Sequence, residues 1–241
     1  MDEIIAIIPA RSGSKSVLDK NIKDLNGFPV LAYSIAAAKL SKKINRVIVS
    51  TDSNYYASIA ERYGAEVPFL RPPKYSGDKS LDRDFFIHAI NWFKDHESKF
   101  PKNWVHLRPT TPLRNPSVVD DAIDYFQINP KATSLRSGHI APESPLKWFF
   151  KEDKYFKGLG DFELSNQPKE IFRETYIPNG YVDIINSSEV INSKNIHGEY
   201  ILGFKSPTVT EIDSIEEFEY ISYQIKNKGS LLLNYLNSIE K

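Results

Sequence analysis

Apolar residues along the chain fall into two rhythms that take turns. Short runs rich in Ile, Val and aromatics stand at Ile4–Ile8, Arg46–Ser50, Trp104–Leu107 and Ala132–Arg136. Such runs suit strands buried on both faces. Between them, apolar positions recur at helical spacing: Leu31, Ile35 and Ala38 within Pro29–Lys42, then Tyr55–Tyr63 closed by Gly64. The same spacing returns in Leu81, Phe85, Ala89 and Trp92, and again in Val119, Ala122, Ile123 and Phe126. Pro29 suits a first helical turn and Gly64 a helix C-cap. Glu66–Leu70 reads as a short extended piece, at a sheet edge or in no sheet at all, since Pro68 has no amide hydrogen to give to a ladder. Strand and helix alternate in this way up to Arg136. That order predicts right-handed βαβ units, hence an α/β fold with a mostly parallel sheet flanked by helices.

The rhythm breaks over residues 137–178, a stretch rich in Pro, Lys, Glu and aromatics, among them Trp148, Phe149, Phe150, Tyr155 and Phe156. It reads as an insertion with β-hairpins, either a subunit contact or a long covering loop that packs its own aromatics. Regular structure resumes at Gly180–Ile185 and Tyr200–Phe204, followed by a short segment Val209–Ile212 and helices over Ile215–Asn227 and Leu231–Ile239. A length of 241 residues supports one large domain, 1–241, with the insertion as its elaborated lobe.

Charge narrows the function classes. The chain has 31 basic and 31 acidic side chains, which argues against a generic nucleic-acid or membrane-surface binder. With no cysteine there is neither a disulfide framework nor a Cys-ligated metal, as suits the cytosol. No signal-peptide pattern and no run near ~18 apolar residues is present, so neither a leader nor a membrane span is expected. The five histidines are scattered without metal-ligand spacing, so zinc hydrolysis and Ser/His/Asp chemistry find no support.

Ligands in an open parallel sheet sit at the carboxyl ends of strands. That rule gathers Arg11–Asn21, Thr51-Asp52, Arg108–Arg114 and the loop after Arg136 into one crevice. The first of these loops carries Ser12, Gly13, Ser14 and Ser16 between the cations Arg11, Lys15 and Lys20. Small residues let the backbone approach a ligand and offer amide hydrogens, and the cations suit a polyphosphate. Neither G-x-G-x-x-G nor G-x-x-x-x-G-K-[ST] occurs, which disfavours dinucleotide oxidoreductases and P-loop kinases. Glu211 and Asp213 lie two apart, so in an extended segment both face one side and offer a Mg²⁺ site.

Six ordered blocks resemble one family. They are Ile8-Pro9-Ala10-Arg11-Ser12-Gly13-Ser14-Lys15 with Lys20-Asn21-Ile22; Val49-Ser50-Thr51-Asp52; Ala65 to Pro72; Leu107 to Arg114; Pro178-Asn179-Gly180; and Glu211-Ile212-Asp213. Together they resemble the CMP-sialic acid synthetases, or acylneuraminate cytidylyltransferases. The resemblance implies a nucleotidyltransferase fold with a dimerisation lobe at 137–178 and a homodimer. It implies a cytoplasmic enzyme that joins CTP to the anomeric hydroxyl of a 2-keto sugar acid, with Mg²⁺ as cofactor. Carried over by position, Arg11, Ser14 and Lys15 hold the triphosphate, and Arg11, Lys15 and Asp213 serve catalysis. Ala10, Asn21, Arg71 and Ser80 surround cytosine and ribose. Arg108, Thr110, Lys147, Asn179 and Gly180 face the sugar acid, and Glu211 with Asp213 holds the metal.

This chain departs from the family pattern at several positions. Ser12 and Ser16 replace glycines and Leu18 a proline; Arg108 stands where the family has glutamine, and Glu211 where it has aspartate. Serine fits the loop where φ stays negative. Arginine at position 108 adds a charge and a bidentate fork, suiting a carboxylate or a differently decorated acceptor. The acceptors to consider are therefore sialic, legionaminic, pseudaminic and related ulosonic acids. Two other readings stand beside this one: transfer of another nucleotide onto a sugar phosphate, and a non-catalytic nucleotide- or sugar-binding homologue.

Overall fold

The computed structural model describes residues 3–14, 17–77 and 79–240. The chain starts with β1 (Ile5–Pro9), a small hairpin of β2 (Asp24–Leu25) and β3 (Phe28–Pro29), and helix α1 (Val30–Leu40). Then come β4 (Arg46–Ser50), α2 (Asn54–Arg62), α3 (Asp82–Glu97), β5 (Asn103–His106), α4 (Pro116–Gln127) and β6 (Ser134–Ile140). The excursion after β6 carries one hairpin, β7 (Phe149–Glu152) with β8 (Tyr155–Gly158). The chain re-enters the body through β9 (Tyr176–Asn186) and α5 (Ser187–Asn192), and ends with β10 (Ile201–Lys205), α6 (Ile215–Lys228) and α7 (Leu231–Ile239).

Among the described residues, six strands form the central sheet in the order β10-β6-β9-β5-β1-β4. β4, β1 and β5 are parallel neighbours, as are β10 and β6, while β9 runs antiparallel between β5 and β6. The fold is thus α/β with a mostly parallel sheet, as the alternation predicted. The reversed central strand was not predicted, because a strand buried on both faces has the same apolar pattern in either direction.

Alternate residues of β1 reach two cores. Ala6 and Ile8 join α1, α4, α6 and α7 on one face, whereas Ile5 and Ile7 meet Phe85, Phe86, Ala89 and Phe93 of α3 on the other. α1 differs from the amphipathic helix expected: every residue from Val30 to Ala38 is buried. The sheet lies on one side of it and α2, α4 and α7 pack on others, so no face is left for water. Val209–Ile212 is irregular, and α5 and the β2–β3 hairpin were too short for a periodicity to mark. The extended piece Glu66–Leu70 bridges to Ile48 and Thr51 at the β4 edge, where its proline is tolerated. Among the described residues, no helix is long and apolar enough to cross a membrane.

Candidate active site

The C-terminal ends of β1, β4 and β5 open into a cleft of about 530 Å³. Its walls take Arg11, Ser14, Lys20 and Asn21 from the loop after β1, Arg71 from beyond β4, and Ser80, Asp82 and Phe85 from the start of α3. Arg108 and Thr110, after β5, complete it. Another cavity, of about 280 Å³, lies at the opposite end of the strands against Glu3, Lys102 and Asn103, and lacks such a concentration of cations.

The loop after β1 is held from several sides. Asp52 accepts from the Ser12 amide at 2.7 Å and from its hydroxyl at 3.0 Å. Asn21 Nδ2 donates to the Arg11 carbonyl, and Tyr56 donates to Asp19, whose backbone is left-handed at φ 48°. Gly13, at φ 69°, takes the turn that a side chain would strain. Ser12 is not among the positive-φ residues, so serine in place of glycine is accommodated, and its hydroxyl adds a bond to Asp52. Lys15 and Ser16 lie outside the described residues.

Lys20 donates to the Ile212 carbonyl at 2.6 Å and lies 3.3 Å from Asp213. The Ile212 amide donates to the Thr110 carbonyl at 2.8 Å. The carboxylate segment is thereby tied between two cleft loops, with Ile212 fully buried and a carboxylate on each side of it. Asp213 is exposed beside Lys20, while Glu211 accepts from the Gly180 amide at 3.0 Å.

Beneath the cleft, the pairing of β6 with β9 shifts register: Arg136 faces Asp183, yet Gly138 faces Pro178. Residues 179–182 therefore bulge, and side chains take up their polar groups. Arg114, 3% exposed, donates to the carbonyls of Gly180, Tyr181 and Arg108 and to the Ser34 hydroxyl. Burial pulls its pKa down to about 9, so it stays charged at neutral pH. Ser137 donates to Asn179 Oδ1, and Asn179 Nδ2 donates to the Ser206 hydroxyl. A Cβ on Gly180 would meet Thr111 Oγ1 at 2.7 Å and Arg108 Cδ at 2.9 Å, so only glycine fits. The resemblance implied that Asn179 and Gly180 face the sugar acid; both lie in this bulge, where Gly180 packs beside Thr111 and Arg108.

Arg71 is buried, donates to the Ser50 hydroxyl and carbonyl, and stacks on Phe85. Burial lowers its pKa to about 10, which leaves it cationic. Arg108 lies 2.8 Å from Asp82 and 3.6 Å from Asp183. Burial opposes its charge, but Asp82, Asp183 and Glu211 outweigh that and raise its pKa. Asp183 is 2% exposed, and burial pushes it up to about 6 against the pull of Arg108 and Arg136. His106 is wedged against Phe85 and Phe86, and burial lowers it to about 3. It is therefore neutral near pH 7, and its 3.9 Å approach to Asp183 is not an ion pair there.

Of the residues expected at the site, Arg11, Ser14, Asn21, Arg71, Ser80, Arg108 and Thr110 converge on the cleft. Ala10 is buried behind the lining, and Lys147 sits in the excursion, 3.2 Å from Glu143. Asp52 and Arg114 were gathered into the crevice without a role, and Asp82 and Asp183 were not singled out. Asp82 and Asp84 together read as first-turn acids of a helix, and only the structure separates them. Asp84 accepts from the Leu81 amide at the helix start, while Asp82 turns to Arg108.

A cytidylyltransferase family profile matches residues 5–137. The N-acylneuraminate cytidylyltransferase of Escherichia coli is 34% identical over 239 residues, covering 98% of this chain and 55% of the relative. The chain thus spans about half the length of that relative. The CMP-N,N'-diacetyllegionaminic acid synthase of Legionella pneumophila is 30% identical over 201 residues, 81% of this chain and 83% of its own. Among solved structures, a CMP:2-keto-3-deoxy-manno-octonic acid synthetase complexed with CTP superposes with a TM-score of 0.72. At 13% identity, covering 94% of this chain and 99% of that one, this similarity establishes the fold.

Proposed function

The chain belongs to the cytidylyltransferase family, and from that premise we propose that it joins CTP to a 2-keto sugar acid of the nonulosonic type. The anomeric hydroxyl of the acid attacks the α-phosphorus of CTP. The bond from that phosphorus to the oxygen bridging it to the β-phosphate breaks, pyrophosphate leaves with the bonding electrons, and the hydroxyl proton is released. The observation that carries this reading is the convergence of Arg11, Ser14, Lys20, Asn21, Arg71 and Ser80 on one cleft at the strand ends.

Arg11 and Lys15 balance the phosphate charge, and Ser14 with the loop amides orients it. A cation ~4 Å from a phosphate oxygen contributes roughly 4 kcal/mol at an effective dielectric of ~20, before desolvation. Asn21, Arg71 and Ser80 frame the nucleoside, and Arg108 with Thr110 begins the acceptor's end. Positioning and fixed positive charge do most of the catalytic work.

No cluster of three or more metal-ligating side chains occurs among the described residues. Mg²⁺ does not require one, since it takes one or two carboxylates and fills its shell with phosphate oxygens and water. Asp213, exposed beside Lys20, fits that pattern, with Glu211 as the second carboxylate. When bound, the ion neutralises phosphate charge.

The excursion 137–178 forms the contact of a homodimer in this reading. Phe149, Phe150, Tyr155, Phe156 and Phe162 are all exposed there, and a second copy would cover them. We place the reaction in the cytoplasm, where CTP is made, and the absence of cysteine suits that compartment.

The test is pyrophosphate release from CTP and Mg²⁺ across a panel of nonulosonic acids. At least one acid should support turnover, and CTP should raise the melting temperature more than UTP or GTP does. A panel without release, or equal shifts from all three nucleotides, would contradict the reading.

A further inference from the structure

The charges at the Arg108 end of the cleft are paired before any ligand arrives. Arg108 Nη2 lies 2.8 Å from Asp82 Oδ2 and 3.6 Å from Asp183 Oδ2. Asp183 is locked in the sheet, in register with His106 on β5 and Arg136 on β6, and too deep to meet a ligand. Asp82 is different. It stands in the first turn of α3, lines the cleft, and keeps 35% of its side chain exposed. Asp84 takes the capping duty at that helix start, which leaves Asp82 to Arg108.

A guanidinium already set between two carboxylates is a poor receptor for a third. An incoming carboxylate would exchange one ion pair for another and leave Asp82 without its partner, with no net Coulomb gain. What this wall does offer is a carboxylate acceptor edge beside a guanidinium donor. A neutral group with a hydrogen to give and an oxygen to receive matches both, as a hydroxyl or an acylamino group does. An anionic substituent would be repelled by Asp82, and an apolar one would leave the pair partly desolvated and unsatisfied.

We propose that Asp82 is a specificity-determining residue for the acceptor acid. Oriented by Arg108, its carboxylate accepts a hydrogen bond from a hydroxyl or acylamino N–H of the sugar acid. It thereby selects acids with neutral hydrogen-bonding substituents at that end over deoxy or second-anion analogues. The proposal rests on the cytidylyl-transfer reading and names the acceptor chemistry it uses. Arg108 is then a positioning residue for Asp82 rather than the seat of the acceptor's carboxylate. A site built to bond a substrate hydroxyl discriminates strongly against the analogue lacking it. Since Asp82 is partly solvated, the expected discrimination is roughly 10- to 100-fold.

The experiment is steady-state pyrophosphate release with CTP and paired acids that differ by one hydroxyl or acylamino group. It compares the wild type with Asp82→Asn, Asp82→Ala and Arg108→Gln. The wild type should prefer the substituted acid. Asp82→Ala should raise the KM of that acid about tenfold or more and flatten the preference, while the KM for CTP stays within about twofold. Arg108→Gln should weaken the same preference, and in the Asp82→Ala background should add little. Asp82→Asn keeps the shape and serves if the alanine variant is unstable; it should lose part of the preference. An unchanged preference in Asp82→Asn, or parallel rises in the KM for CTP and for the acid, would overturn the assignment. If the wild type turns over no acid, the cytidylyl-transfer reading fails first, before any variant is compared, and this inference falls with it.

Discussion

The two ends of the cleft solve opposite electrostatic problems. At the β1 end, two cations rest chiefly on neutral acceptors: Arg71 on the Ser50 hydroxyl and carbonyl, and Lys20 on the Ile212 carbonyl with an exposed aspartate beside it. Their positive field is left for a ligand, as a triphosphate needs. At the β5 end, Arg108 is matched by Asp82 and Asp183, and little net field remains. The difference teaches that arginines lining one cleft are not equivalent. What an arginine offers a ligand depends on whether its nearest partners are carbonyls or carboxylates.

The largest effect should come from the buried arginine beneath both ends. Arg114→Leu leaves the carbonyls of the β9 bulge without their donor and should cost about 3–5 kcal/mol of stability, measured by urea unfolding. A loss under ~1 kcal/mol would mean the bulge holds itself. Next, Arg11→Ala removes a charge from the ligand-facing end. It should lower kcat/KM about 100-fold, with a raised KM for CTP. An unaltered KM for CTP would erase the contrast between the ends.

A smaller change tests how the loop is held. Asp52→Asn keeps one oxygen for Ser12 but removes the charge, and should raise the KM for CTP about fivefold. A change confined to the acceptor's KM would put that loop at the wrong end. A further effect concerns pH. His106, lowered to about 3, resists the proton that the unfolded chain accepts near 6.5, so its contribution to stability fades as pH falls from 6.5 towards 3. Asp183, raised to about 6, accepts a proton before the unfolded chain does, so its contribution grows as pH falls from 6 to 4. The two oppose each other over that window. Asp183→Asn should therefore steepen the loss of stability between pH 6 and 4, by at most ~1.4 kcal/mol per pH unit. An unchanged slope would show that Asp183 is ionised throughout.

Much of the β1 end was legible in the sequence. An Ile-rich run followed by small residues and cations reads equally as a strand before a polar surface loop, and it was the strand-end rule that assembled Arg11, Ser14 and Arg108 without coordinates. The β5 end was not legible. Asp82 and Asp183 lie far apart in sequence, and each looks ordinary where it stands, one as a first-turn acid and the other inside a strand. The bulge at 179–182 was equally hidden, because a register shift depends on the partner strand and leaves no periodicity of its own. The antiparallel course of β9 was hidden for a related reason: its buried residues Tyr181 to Ile185 carry no direction.

The most direct measurement of the central claim is mass spectrometry of the product formed from CTP, Mg²⁺ and a nonulosonic acid. Cytidylyl transfer predicts a CMP–acid conjugate appearing in equal amount with pyrophosphate. Pyrophosphate with free CMP and no conjugate would make the chain a CTP hydrolase, and a conjugate formed only from another nucleotide would contradict the account equally.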